Sequence, residues 1–207
     1  MRPTFRLYLI TDRHECPRPL PEVVAEACKA GVRAVQLREK DLSSLDLFKL
    51  GRQLKRICDN EGAQLIVNDR VDIALALGTA GVHLTTRSLP IQVARRLIPK
   101  ASLVGVSTHG LAEAISADEA GADFIVLSPI FETGSASFQG KTLGIEGLRR
   151  VCEKVALPTY ALGGITPGRA KECIDAGAFG VAVRSIIMRA RDIHPIVSAF
   201  REAILHI

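Results

Sequence analysis

The chain has 207 residues, 47% of them hydrophobic and 24% charged, with 27 Lys and Arg against 22 Asp and Glu for a net charge of +5. That balance suits one well-buried domain across residues 1–207 and excludes a disordered chain, while no apolar run reaches the roughly 20 residues of a membrane span. The basic residues form no sustained run and Trp is absent, so the positive excess points to a small anionic substrate rather than to nucleic acid.

Apolar runs with strand character occur at 5–11, 33–38, 63–68, 80–84, 102–107, 122–128, 157–162 and 178–183. Between them lie stretches with helical spacing, such as 43–60 with Leu45, Phe48, Leu50, Leu54 and Ile57, and 90–98 with Val93, Ala94 and Leu97. Four of the runs follow an Ala-Gly pair, at Ala30-Gly31, Ala80-Gly81, Ala120-Gly121 and Ala176-Gly177. Gly just past a helix suits the left-handed C′ position, and a continuous apolar run after it reads as a buried parallel strand. Eight alternating units predict an α/β fold, a single (β/α)8 TIM barrel, with a doubly wound open sheet as the alternative. In either architecture ligands bind where the strands end, and here the strand ends are abruptly polar.

Those tips carry the candidate chemistry. Arg38 and Lys40 close the second run, two residues apart, with Glu39 expected on the opposite side of an extended backbone. Such a pair of cations can grip a di-anionic group, and solvated surface charge is the plainer alternative. Asn68 and Asp69 close the third run, where a carboxylate suits Mg2+ beside phosphates, or else caps the next helix. His83 lies inside the apolar VHL of the fourth run and reads as a satisfied core histidine. Ser107 and His109 end the fifth run and offer a hydroxyl and an imidazole to a substrate. Residues 129–144 form one long polar loop at the same edge, a lid candidate. Gly163 and Gly164 end the seventh run, followed by Thr166 as N-cap and Pro167 at the first helical position. Arg184 and Ser185 end the eighth. Glycine-freed N–H groups at a helix start make an anion site, and phosphate held between the last two strand ends is a recurrent barrel device. Arginines such as Arg95, Arg96, Arg149 and Arg150 read as solvated helix faces. Five dispersed cysteines read as reduced core thiols, and His14 with Cys16 lacks the partners of a zinc site.

Taken in order, LYLITD (7–12), VQLREK (35–40), LIVNDRVDIALALGTAGVHL (65–84), LVGVSTH (103–109), GADFIVLSPIFET (121–133), ALGGITP (161–167) and AGAFGVAVRS (176–185) resemble the thiamine phosphate synthase family and its TenI-type relatives. The resemblance implies a barrel and a cytoplasmic, homodimeric enzyme of thiamine biosynthesis. Its reaction would join aminopyrimidine methyl diphosphate to thiazole phosphate and release pyrophosphate with Mg2+ assistance. Carried over by position, it implies that Arg38, Lys40 and Asn68 contact the diphosphate, Asp69 the Mg2+, and Ser107 the leaving pyrophosphate. Gly164 and Ser185 would then meet the thiazole phosphate. Gln36, Thr133, Ser135, Gly163 and Arg184 join the substrate-binding set, and His109 the catalytic one.

Two positions depart from the family pattern. Where a second Mg2+ carboxylate belongs in Gly-Gln-x-Asp, the chain reads Thr85-Thr86-Arg87-Ser88. Where Thr-x-Thr-Lys belongs, it reads Thr133-Gly134-Ser135-Ala136, leaving Arg87 or Lys141 as substitute cations. Both changes fall at the pyrophosphate end. Two rivals to the synthase therefore stand: a thiazole tautomerase using His109 as its proton shuttle, and a non-catalytic barrel that binds thiazole or thiamine phosphate.

Overall fold

The structure, a computed structural model, describes residues 2–133 and 142–205. Eight parallel strands close into a barrel in sequence order: β1 (Leu7–Ile10), β2 (Ala34–Leu37), β3 (Gln64–Asn68), β4 (Gly81–Leu84), β5 (Leu103–Thr108), β6 (Phe124–Leu127), β7 (Thr159–Ala161) and β8 (Gly180–Val183). Strand β8 returns to pair with β1, which excludes the open sheet. The helices are α1 (Leu20–Ala30), α2 (Ser44–Asn60), α3 (Val71–Leu77), α4 (Ile91–Leu97), α5 (Leu111–Glu119), α6 (Gly144–Lys154), α7 (Pro167–Asp175), α8 (Ser185–Met188) and α9 (His194–Leu205). A 3-10 turn, Arg13–Glu15, follows β1.

Strand alternation divides the core in two. Outward residues such as Leu9, Val35, Leu65, Val82, Val104, Ile125 and Val181 pack beneath the helices. Inward residues Tyr8, Ile10, Ala34, Ile66, Leu103, Phe124, Val126, Tyr160 and Ala182, joined by Phe5, fill the lumen. The rings of Phe5, Tyr8, Phe124 and Tyr160 meet with centroids 5.3–6.0 Å apart and plug its lower half. Their hydroxyls are satisfied: Tyr160 donates to the Phe5 carbonyl, and Tyr8 accepts from Gln36 Nε2 at 3.2 Å.

Gly31, Gly121 and Gly177 take the left-handed conformation expected after a helix, with φ of 118°, 87° and 99°. Gly81 does not. Helix α3 is ended by Gly78 at φ 60°, and Gly81 is already the first residue of β4. A Cβ there would lie 2.2 Å from the Leu103 carbonyl oxygen, so the fourth Ala-Gly pair serves strand contact rather than helix capping. Arg95 also departs from its surface reading. It reaches the Ser102 and Gly121 carbonyls and pairs with the buried carboxylate of Asp123, which also accepts from Val104 N–H at 2.8 Å, tying α4 to β5 and β6.

Close backbone approach and backbone torsion therefore separate two glycines only three positions apart. Gly81→Ala should lower unfolding free energy by about 3 kcal/mol and Gly78→Ala by about 1–2 kcal/mol, read from urea midpoints.

Candidate functional site

Above the aromatic plug the lumen opens into a cavity of about 860 Å³ at the carboxyl ends of the strands. Gln36, Arg38, Lys40, Asn68, Ser107, His109, Thr133, Gly163, Gly164, Arg184 and Ser185 all line it. Of the residues predicted for the site, Asp69 lies at the adjoining groove between α3 and α4, and Ser135 lies outside the described residues together with Ala136 and Lys141.

On the β2 to β4 side the groups are cationic. Arg38 is carried by a backbone N–H that donates to Thr11 Oγ1 at 2.9 Å, which locks the end of β2 to the end of β1. Glu39 points the other way, as alternation requires. Its buried carboxylate accepts from the Arg13 N–H at 3.1 Å and from the Arg13 side chain, which anchors the 3-10 turn. Burial, and then the proximity of Arg184, pull the Arg38 guanidinium below its ordinary pKa. Lys40 is lowered too, by burial and then by Arg38 and Arg87, with Asp69 opposing. Among the described residues the charged ends of Arg38, Lys40 and Arg87 have neither a hydrogen bond nor an ion pair. Arg87 thus stands at the mouth, one of the two substitutes the sequence offered.

Asp69 is exposed at φ 65°, held by its N–H donating to the His83 carbonyl at 2.8 Å. It does not cap α3, whose N-cap is Arg70 with no side-chain cap bond. Ser88 is turned into its own loop, where its hydroxyl accepts from Thr85 N–H at 2.9 Å and meets Thr85 Oγ1 at 3.1 Å.

His83 corrects the sequence reading. It is buried, but it lines the cavity, its Nε2 lies 2.9 Å from Ser107 Oγ, and its Nδ1 has no partner among the described residues. Burial, and then Arg38, push its pKa down to about 3, so the ring is neutral near pH 7. The strand register held the signal: His83 pairs across from Asn68 and shares its inward phase. His109 lies apart from Ser107, exposed, with Nδ1 2.8 Å from the Ser128 carbonyl oxygen.

On the β7 to β8 side, Gly163 and Gly164 have φ of 103° and 63°. A Cβ on Gly164 would lie 2.5 Å from the Glu132 carbonyl oxygen, so the chain passes where no side chain fits. Thr166 caps α7 by accepting from Arg169 N–H at 3.4 Å, with Pro167 next, as the sequence predicted. The Arg169 guanidinium donates to the Gly164 carbonyl at 2.8 Å and sits 4.6 Å over the Phe131 ring. The cations at the end of β8 are compensated: Arg184 lies 3.4 Å from Glu15 and 3.8 Å from Asp12, and Arg189 lies 3.0 Å from Glu15.

The family model described as thiamine monophosphate synthase matches residues 7–187. The chain belongs to that family. A thiamine-phosphate synthase of Moorella thermoacetica is 40% identical over 203 residues, covering 98% of this chain and 97% of the relative. One from Clostridium novyi is 38% identical over 190 residues, covering 91% and 93%. The solved thiamine phosphate pyrophosphorylase of Pyrococcus furiosus superposes with a TM-score of 0.89 at 34% identity, covering 97% of this chain and 96% of that one. The chain is accordingly an enzyme of thiamine biosynthesis, a transferase of the thiamine-phosphate diphosphorylase type, and the relatives do not favour the tautomerase or the non-catalytic reading.

The neutral His83 has a stability consequence. Its folded-state pKa of about 3 lies below the unfolded value of about 6.5, so stability is fully present above pH 6.5 and falls as pH drops toward 3. His83→Gln should remove up to about 1.4 kcal/mol per pH unit of that slope, and denaturant midpoints of both proteins at pH 7, 5 and 4 will measure the difference.

Proposed function

We propose that the whole chain works as one barrel domain that joins aminopyrimidine methyl diphosphate to thiazole phosphate in this cavity. The observation that carries the reading is the division of the mouth: three cations without an ion pair among the described residues on one side, a glycine-built helix start and Ser185 on the other. Two separate anion sites suit two phosphorylated substrates.

In the reaction the bond between the pyrimidine methylene carbon and the diphosphate oxygen breaks, and its electron pair leaves with pyrophosphate. The thiazole nitrogen donates its lone pair to the methylene carbon, forming the carbon–nitrogen bond of thiamine phosphate. Arg38, Lys40 and Arg87 take up the charge that grows on the leaving oxygens, an electrostatic contribution that strengthens in a water-poor cavity. Ser107, oriented by neutral His83, donates to the same group. Asn68, Gln36 and Thr133 hydrogen-bond substrate, with Gln36 fixed by Tyr8. His109 hydrogen-bonds at the rim. Gly163, Gly164, Arg184 and Ser185 receive the thiazole phosphate, and the two sites in one cavity hold the reacting atoms in register.

No group of three His, Cys, Asp or Glu among the described residues suits a metal held by protein alone. Mg2+ is commonly bound by one or two carboxylates together with substrate phosphates and water, a habit that one exposed Asp69 beside Lys40 fits. Asp69 would hold it, Ser88 being engaged within its own turn, and when bound it would neutralise diphosphate charge. Among the described residues no helix is long and apolar enough to cross a membrane, and we place the enzyme in the cytoplasm as a homodimer.

Purified protein given both substrates and Mg2+ should form thiamine phosphate; no product at saturation would reject this reading. Lys40→Ala should lower kcat/KM for the diphosphate by about 100-fold and Arg87→Ala by about tenfold, with KM for thiazole phosphate unchanged in steady-state assays.

A further inference from the structure

Glu15 brings a carboxylate to the phosphate cradle itself. It comes from the 3-10 turn after β1, yet it lines the cavity between the ends of β8 and β1, beside Ser185. Oε1 takes the guanidinium of Arg189 at 3.0 Å and that of Arg184 at 3.4 Å, while Oε2 is buried and meets neither of them. Asp12, the other acid near Arg184, stands at 3.8 Å and does not line the cavity. Burial by itself would raise the Glu15 carboxyl, but Ser185, Arg184 and Arg189 outweigh it and keep the group ionised.

A half-buried carboxylate on the donors of an anion site presents those donors with the same charge sign as the ligand. We propose that Glu15 is an internal competitor for the thiazole phosphate: it occupies Arg184 and Arg189 while the cradle is empty, and an incoming phosphate must take these cations from it. Its ion-pair geometry suits this role, since both guanidinium groups meet the carboxylate through the one oxygen Oε1 and can be passed to the oxygens of a phosphate. The carboxylate thereby sets how tightly the phosphate is held and favours release of the phosphorylated product. Among the described residues no acid forms an ion pair with Arg38, Lys40 or Arg87, Asp69 acting on Lys40 only through space, so the direct competition lies in the β8 half of the mouth. The inference rests on the placement of the thiazole phosphate at Gly163, Gly164 and Ser185 proposed above.

The test compares wild-type protein with Glu15→Gln and Glu15→Ala, each checked for folding by thermal melts, so that one variant remains if the other fails to fold. Calorimetric titration uses thiazole phosphate, the thiazole alcohol lacking phosphate, and inorganic phosphate with saturating pyrophosphate present. Removing the charge should tighten thiazole phosphate and inorganic phosphate by about fivefold or more while leaving the alcohol unchanged. In turnover, KM for thiazole phosphate should fall with no rise in kcat, and KM for the diphosphate should stay constant. Weaker phosphate binding in a folded variant would make Glu15 a support for Arg184 and overturn the proposal, as would unchanged binding. The inorganic phosphate titration decides this even if wild-type protein forms no thiamine phosphate, so the two readings fail separately.

Discussion

Four aromatic rings in the lower lumen decide where this barrel can be open. A closed eight-stranded barrel leaves an interior only wide enough for side chains, so whichever residues face inward fill layers rather than a pore. Phe5, Tyr8, Phe124 and Tyr160 bulk out the lower layers, and each buried Phe alone is worth about 1.5–3 kcal/mol. The strand backbone gives way to them: a Cβ on Gly105 would lie 2.2 Å from Phe124 Cζ. Two residues further along the strands, the same inward phase brings smaller and polar groups, including Gln36, Asn68, His83 and Ser107, and the lumen is no longer filled. The floor of the site is thus a packing feature, and the polar layer resting on it is a consequence of strand period.

Charge is distributed unevenly over that layer. On the β2 to β4 side, burial and then Arg38 and Arg87 disfavour the charged form of Lys40, while burial and then Arg184 disfavour that of Arg38. Burial and repulsion of this kind cost stability in the free protein and are offset when an anion arrives, which makes that side receptive. On the β8 side the cations already have Glu15 and Asp12. The two halves of one cavity therefore bind phosphate on different terms. His83 sits between them as a neutral group: it is buried against Ser107 and close to Arg38, so it adds hydrogen-bonding capacity without further charge.

Position is enforced from behind the site as well. Thr11 fixes the end of β2 through the Arg38 backbone, Glu39 anchors the 3-10 turn that carries Glu15, and Thr85 with Ser88 shapes the loop that presents Arg87. Each of these contacts limits where a cation or carboxylate at the mouth can stand. Rigid support of this kind is what transfer between two bound substrates requires, since misplacement of a reacting pair is costly in rate.

Much of this was legible in the amino-acid sequence. All eight strands lie where apolar runs predicted them, α7 starts with Thr166 and Pro167 as its capping chemistry required, and the polar strand tips identified the binding edge, because these signals are local and periodic. The exceptions share a cause. Gly81 resembles a helix-ending glycine until Leu103 is seen beside it; Arg95 resembles surface charge until Asp123 is found; His83 resembles core until its phase with Asn68 places it at the cavity. Sequence by itself determined the strands, the inward and outward phases and the inventory of ionisable groups, since those follow from short-range pattern. Only the tertiary structure decided which charges are paired and which are left for a ligand, because Glu15 meets Arg184 and Arg189 across some 170 residues of chain, through barrel closure between β1 and β8.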